Sequence, residues 1–183
     1  HSQGLGQAIA ADLLGRGWRV LGLSRSGWPP TLASQYPGLI EVALDLADAP
    51  ALVAWLAGPA LADALAGVVG MAGCGEAAGV QEAEHSAGAV AQAGQVLLVN
   101  NAGLVSPIGP PGGQGAGAVM QAVALNVAAP LALADAWVAA TAGVPDRRIV
   151  YISSGAARNA YAGWSVYCAT KAALDMHARA VQL

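Results

Sequence analysis

The chain has 183 residues, enough for one domain with a substantial core. Hydrophobic residues make up 56% and charged residues 10%, the reverse of a disordered composition, and 24 glycines with 10 prolines fall short of a low-complexity chain. A net charge of −3 with eight scattered basic residues argues against a nucleic-acid face or a polybasic membrane anchor.

In chain order, Gly4-Leu5-Gly6 leads into an apolar-periodic helix, Gln7–Leu14, ended by Gly15 and Gly17. Trp18–Leu23 reads as a short buried strand, and the stretch Ser24–Pro30 as turns. Leu39–Leu44 is a second strand closed by Asp45, followed by a helical stretch from about Pro50 to Leu65 that breaks near Gly58-Pro59. Gln95–Val99 is the strongest strand, Val119–Ala140 a long helix that Pro130 should kink, Arg148–Ile152 a further strand and Gly163–Leu183 the last helix. Continuous apolar strands between helices predict an α/β fold with a parallel sheet covered on both faces. Residues 67–94 fit no element and read as a surface insertion; Cys74 and His85 within it are too isolated for a metal site, so no metal is expected. The two cysteines, Cys74 and Cys168, read as free thiols of a reducing cytoplasm. The uncharged stretch Ser86–Ala134 is cut by polar residues, prolines and glycines and fails the test of about 20 consecutive apolar residues, so no membrane partner is expected.

Two ends of this sheet carry chemistry. Glycines at Gly4-x-Gly6 would let a phosphate approach a helix N-terminus, although an ordinary glycine turn accounts for them equally well. A strand ends at Leu23-Ser24-Arg25, seventeen to nineteen residues after Gly6, where dinucleotide folds read the ribose 2′ position. An acid there would suit NAD; Ser24-Arg25 suits the 2′-phosphate of NADP, against the plainer reading of a solvated arginine. Asp45-Leu46 stands where the adenine edge would lie.

At the other end, Lys171, the single lysine, follows Tyr167 by four residues. That spacing sets the two side chains about 40° apart on one helical face. A tyrosine with its ordinary pKa of about 10 exchanges protons poorly at neutral pH, and a nearby cation favours its phenolate. Ser153-Ser154 closes a strand thirteen residues before Tyr167, placing a hydroxyl that can donate to a carbonyl oxygen gaining charge. Asn100-Asn101-Ala102-Gly103 closes another strand at the same end. Asn126, near Pro130, reads on its own as a satisfied core amide.

Taken together, these motifs resemble the short-chain dehydrogenase/reductase family. Ser2-Gln3-Gly4-Leu5-Gly6 is similar to its Thr-Gly-x-x-x-Gly-x-Gly loop without the first two residues, and Asn100–Gly103, Asn126, Ser154 and Tyr167-x-x-x-Lys171 follow in order. More narrowly, Ser153–Asn159, Gly163–Cys168, Leu174-Asp175-Met176 and Asn101–Ile108 resemble the benzil reductase and sepiapterin reductase branch. The resemblance implies a Rossmann-like, doubly wound parallel sheet in a single dinucleotide-binding domain spanning 1–183. It implies an NADP(H)-dependent carbonyl reductase of a small-molecule ketone or 1,2-diketone, in which Tyr167 donates the proton and Ser154 holds the oxygen. Lys171 would bind the nicotinamide ribose and tune Tyr167, and Asn126 would support a water-mediated proton path. Ser2 to Gly6, Ser24, Arg25, Asp45, Leu46, Asn101, Ala102 and Gly103 would line the cofactor, with Leu104, Tyr161 and Trp164 as the substrate wall. Homodimers or homotetramers are the family habit.

The chain departs from the family in three places. Gln3 stands where NADP-preferring relatives often carry a basic residue, and the interval from Asp45 to Asn100 exceeds the usual family spacing. The family's central first strand is expected before His1, and its last strands and substrate-closing loop after Leu183, so the sheet is expected to be incomplete at both ends and the 183 residues alone unstable or inactive. A dinucleotide-binding protein without turnover, or a non-functional truncated product, are the rival readings. Retention of both Tyr167 and Lys171 distinguishes an enzyme from the former.

Overall fold

The computed structural model describes residues 2–70, 90–91 and 93–181. Helix α1, Gly4–Gly15, leads to strand β1, Val20–Ser24; a short α2, Pro30–Ala33, precedes β2, Leu39–Ala43. Asp48 caps α3, Ala49–Ala57, by accepting the Ala51 N–H at 3.0 Å. α4, Ala60–Gly70, follows after a 65° bend at Gly58-Pro59. Residues 67–70 of the expected insertion therefore complete a helix, and most of the remainder, Cys74 and His85 included, lies outside the described residues. Arg19 donates to the carbonyls of Val68 and Val69 at 3.1 and 2.7 Å, tying the last turn of α4 to the entry of β1.

Strand β3, Gln95–Asn100, leads through a loop to α5, Ala116–Val123. The helix then widens into a π-helical turn, Ala124–Ala128, and resumes as α6, Ala129–Ala140. Pro130 explains the interruption. It has no N–H to donate to the Asn126 carbonyl, and the Ala129 N–H reaches back to Ala124 instead of the residue four before it. The whole stretch Ala116–Ala140 is long and apolar enough, by length and composition, to cross a membrane. In the fold Asn126, near its middle, is buried by polar contacts to two other segments. β4, Asp146–Tyr151, a 3-10 turn, Gly155–Ala157, and α7, Ser165–Ala180, complete the order.

The strands pair in parallel, as expected of an α/β chain: β1 with β2 from Val20↔Leu39 to Ser24↔Ala43, and β3 with β4 from Gln95↔Asp146 to Asn100↔Tyr151. Among the described residues these remain two separate two-stranded sheets. Between them lies an apolar cavity of about 480 Å³, walled by Val20–Leu23 of β1 and Val96–Val99 of β3 and flanked by α1 and α6. Neither β1 nor β3 has a second ladder partner among the described residues, so a continuous sheet is interrupted at its centre. The main apolar cluster, Leu44, Leu46, Leu52, Ala129 and Leu133, joins the end of β2 to α3 and α6. It anchors the loop after β2 against the helix that carries Asn126.

Candidate active site

The first half of the site is backbone. Gly4 opens α1 with φ +57°, a left-handed conformation that glycine adopts without strain, and nothing lies within 4 Å of where its Cβ would be. Gln3, the N-cap, makes no side-chain capping bond, so the first turn presents its amides and the positive end of its dipole. Ser2 is half-buried, Leu5 exposed and Gly6 buried against the sheet cavity. At the end of β1 the Ser24 hydroxyl accepts the Gly27 N–H at 3.1 Å, and Arg25 stands exposed. Asp45 is exposed and accepts the Ala47 N–H at 2.9 Å, whereas Leu46 turns into the apolar core.

The second half joins the ends of β3 and β4 to α7. Lys171 is 4% exposed, and its Nζ donates to the Ile152 carbonyl at 2.8 Å. The ammonium stands over the Tyr167 ring, 5.8 Å from its centroid. Burial pulls the lysine below its ordinary range, and the charge of Asp175, one turn further along α7, pushes back. Ser153 donates to that Asp175 carboxylate, so the two adjacent serines part company. Ser154 instead caps the 3-10 turn, accepting the Ala156 N–H at 3.2 Å.

Tyr161, Trp164 and Tyr167 form a run of aromatic edges, with ring centroids 5.6 and 5.7 Å apart in succession. The Tyr161 hydroxyl lies 3.5 Å from where a Cβ on Gly155 would stand, which brings this wall beside Ser154. Gly163 permits the approach: at φ +79°, its carbonyl accepts the Gly109 N–H at 2.9 Å, closing the loop after β3 over the start of α7.

Asn101, Ala102 and Gly103 lie at the mouth of this loop, and a Cβ on Gly103 would stand 3.4 Å from Asn126 Oδ1 and 3.7 Å from Lys171 Nζ. The Asn126 amide is fully engaged. Its Oδ1 accepts the Leu104 N–H at 2.9 Å, and its Nδ2 donates to the Leu104 carbonyl at 2.8 Å and to Thr170 Oγ1 at 3.1 Å. Thr170 escapes the sequence reading altogether, and Asp175 enters it only within the motif Leu174-Asp175-Met176, with no role attached. Thr170 precedes Lys171 and lies three residues after Tyr167, a position whose helical phase marks it as buried, but nothing in the sequence names its partner. The sheet cavity is bordered mainly by apolar side chains and strand edges; the polar chemistry lies at the loop ends. Among the described residues no group of three or more histidine, cysteine or acidic side chains is placed to hold a metal.

The short chain dehydrogenase family model matches residues 77–183. The benzil reductase ((S)-benzoin forming) of Bacillus subtilis (strain 168) is 40% identical over 85 residues, covering 46% of this chain and 35% of its own length. That of Bacillus cereus is 31% identical over 184 residues, covering 98% and 64%. The chain thus spans less than two thirds of either curated relative. A crystal structure of a short-chain dehydrogenase/reductase from Burkholderia vietnamiensis superposes with a TM-score of 0.80 at 50% identity, over 98% of this chain and 72% of that one. With Tyr167 and Lys171 on one helix and the glycine turn opening α1, the chain belongs to the short-chain dehydrogenase/reductase family.

Proposed function

We propose that this chain carries the active site of an NADP(H)-dependent carbonyl reductase acting on a ketone or 1,2-diketone. The observation that carries the reading is the Tyr167–Lys171 pair, in which an ammonium fixed by the Ile152 carbonyl stands over a phenol ring that shares its wall with Ser154. The residues fit a dinucleotide. The uncapped, open N-terminus of α1 suits a pyrophosphate, and Arg25 is free of the core to meet a 2′-phosphate. When bound, NADPH supplies the hydride that reaches the carbonyl carbon.

Tyr167 holds the carbonyl oxygen and gives it the phenolic proton as negative charge develops there, so that the product is a neutral alcohol. Ser154 donates a second hydrogen bond to that oxygen; a hydroxyl that accepts from the Ala156 N–H retains its own hydrogen for this purpose. The Lys171 charge favours the phenolate left on Tyr167, and its ammonium is the donor for the nicotinamide ribose. Tyr161, Trp164 and Leu104 supply an aromatic and apolar wall that suits an aryl ketone or diketone better than a charged acid, in keeping with the benzil reductases among the relatives. An NADPH-rich cytoplasm drives the reaction toward reduction, in a homodimer or homotetramer.

The test is a substrate panel on the full-length protein, with benzil, smaller diketones and a pterin, each with NADPH and with NADH. Consumption of benzil with NADPH is expected; absence of cofactor oxidation with every carbonyl overturns the reading. Arg25→Ala is expected to raise the KM for NADPH about tenfold to a hundredfold, the loss of one charge-assisted contact, and to leave that for NADH little changed. Initial rates with the two cofactors check this, and an unchanged NADPH preference removes Arg25 from the 2′ site.

A further inference from the structure

We infer that Thr170 is a positioning residue for Tyr167, acting through a closed hydrogen-bond clamp with Asn126 and Leu104; the inference rests on the reading of Tyr167 as proton donor. A threonine inside a helix commonly turns its hydroxyl back to the preceding turn. Thr170 does so, donating to the Tyr167 carbonyl at 2.9 Å, and this aims its lone pairs at the Asn126 amide, which donates to it at 3.1 Å. The remaining Asn126 N–H and its carbonyl oxygen are taken up by the backbone of Leu104 at 2.8 and 2.9 Å.

Asn126 is 1% exposed and Thr170 3%, so water cannot replace a lost partner cheaply. One side-chain amide therefore joins three segments: the loop after β3, the π-helical turn and the helix of the proton donor. The widened turn at Ala124–Ala128 is what presents Asn126 to both neighbours.

The next residue along α7 completes the argument. Thr170 anchors the helix to the β3 loop, and Lys171 anchors it to the end of β4 through Ile152. Two consecutive anchors on different walls fix both the height and the rotation of α7. Tyr167 lies three and four residues before them on the same face, so its hydroxyl is aimed by the pair. Thr170 itself touches neither substrate nor the reacting atoms.

Thr170→Val removes the hydroxyl with little change of shape, and Thr170→Ser retains it. In the full-length protein, Thr170→Val is expected to lower kcat for benzil with NADPH about tenfold to a hundredfold, the cost of a misaimed donor. The KM for NADPH should stay within about twofold, and Thr170→Ser should hold kcat within about threefold of wild type. Unimpaired kcat in Thr170→Val, or equal impairment in Thr170→Ser, overturns the inference. If the wild-type protein reduces no carbonyl, the functional reading fails separately, and the clamp is then decided by hydrogen exchange of side-chain amides. The wild-type Asn126 amide is expected to exchange more slowly than that of the exposed Asn159, and Thr170→Val to accelerate it. Exchange of the wild-type Asn126 amide as fast as that of Asn159 overturns the clamp without any variant.

Discussion

Replacing Tyr167 by phenylalanine is expected to lower kcat for carbonyl reduction on the order of 10³-fold while NADPH binding persists. The substitution isolates one atom. Phenylalanine keeps the edge-to-face contact with Trp164, at 5.7 Å between centroids, and keeps a ring beneath the Lys171 ammonium. The helix, the Ile152 anchor and the bond from Thr170 to the backbone of residue 167 do not involve the hydroxyl and should survive. What disappears is the proton that must reach the nascent alkoxide, together with one of two hydrogen bonds that hold the carbonyl oxygen. Parallel measurements of initial rate and of NADPH binding by tryptophan fluorescence separate the two effects. A rate within tenfold of wild type would show that another group or solvent supplies the proton, and the proposed mechanism would fall.

Much of this arrangement is legible in the residues, for reasons that differ by element. Gln95–Val99 stands out as a nearly continuous apolar run and Leu39–Leu44 as one interrupted only by Glu41, and the structure places strands at Gln95–Asn100 and Leu39–Ala43. Gly58-Pro59 announces a helix break by lacking a side chain on one residue and an amide hydrogen on the next, and the helices part there. The π-helical turn is another matter. A periodicity of 3.6 cannot reveal one extra residue in a turn, and Pro130 signals only that some bond is missing, not how the backbone answers. Residue type does not separate Ser153 from Ser154, and only the resemblance singles out Ser154. Direction separates them: one hydroxyl goes to Asp175 on α7 and the other to the turn that follows. Thr170 was illegible for a related reason, since a threonine on a buried helical face announces a need for a partner without identifying it. The gap between β1 and β3 is legible only through the resemblance, which expects a central strand between them; nothing within β1 or β3 announces it.

Lys171→Met is expected to reduce kcat roughly a hundredfold and to change how stability responds to alkali, and the second effect tests the site without requiring turnover. Methionine fills similar apolar space and abolishes the charge over Tyr167 and the bond to Ile152. In the wild-type protein, burial disfavours the ammonium and pulls its pKa below the ordinary 10.5, while Asp175 limits the fall. Between the folded and unfolded values the unfolded chain holds a proton that the folded chain has released. Stability from this group therefore rises with pH through that window, and at lower pH the cost of burying the ammonium is present in full. Tyr151, whose phenol burial pushes in the opposite direction, titrates in the same alkaline region with opposite sign. Both proteins keep Tyr151, so it cancels when the variant is subtracted from the wild type. Urea midpoints across the alkaline range should then show wild-type stability gaining on Lys171→Met as pH climbs toward 10.5. A difference that stays flat or declines would mean that the charge of Asp175 offsets the burial of Lys171 in full, and that the folded chain binds this proton as tightly as the unfolded one.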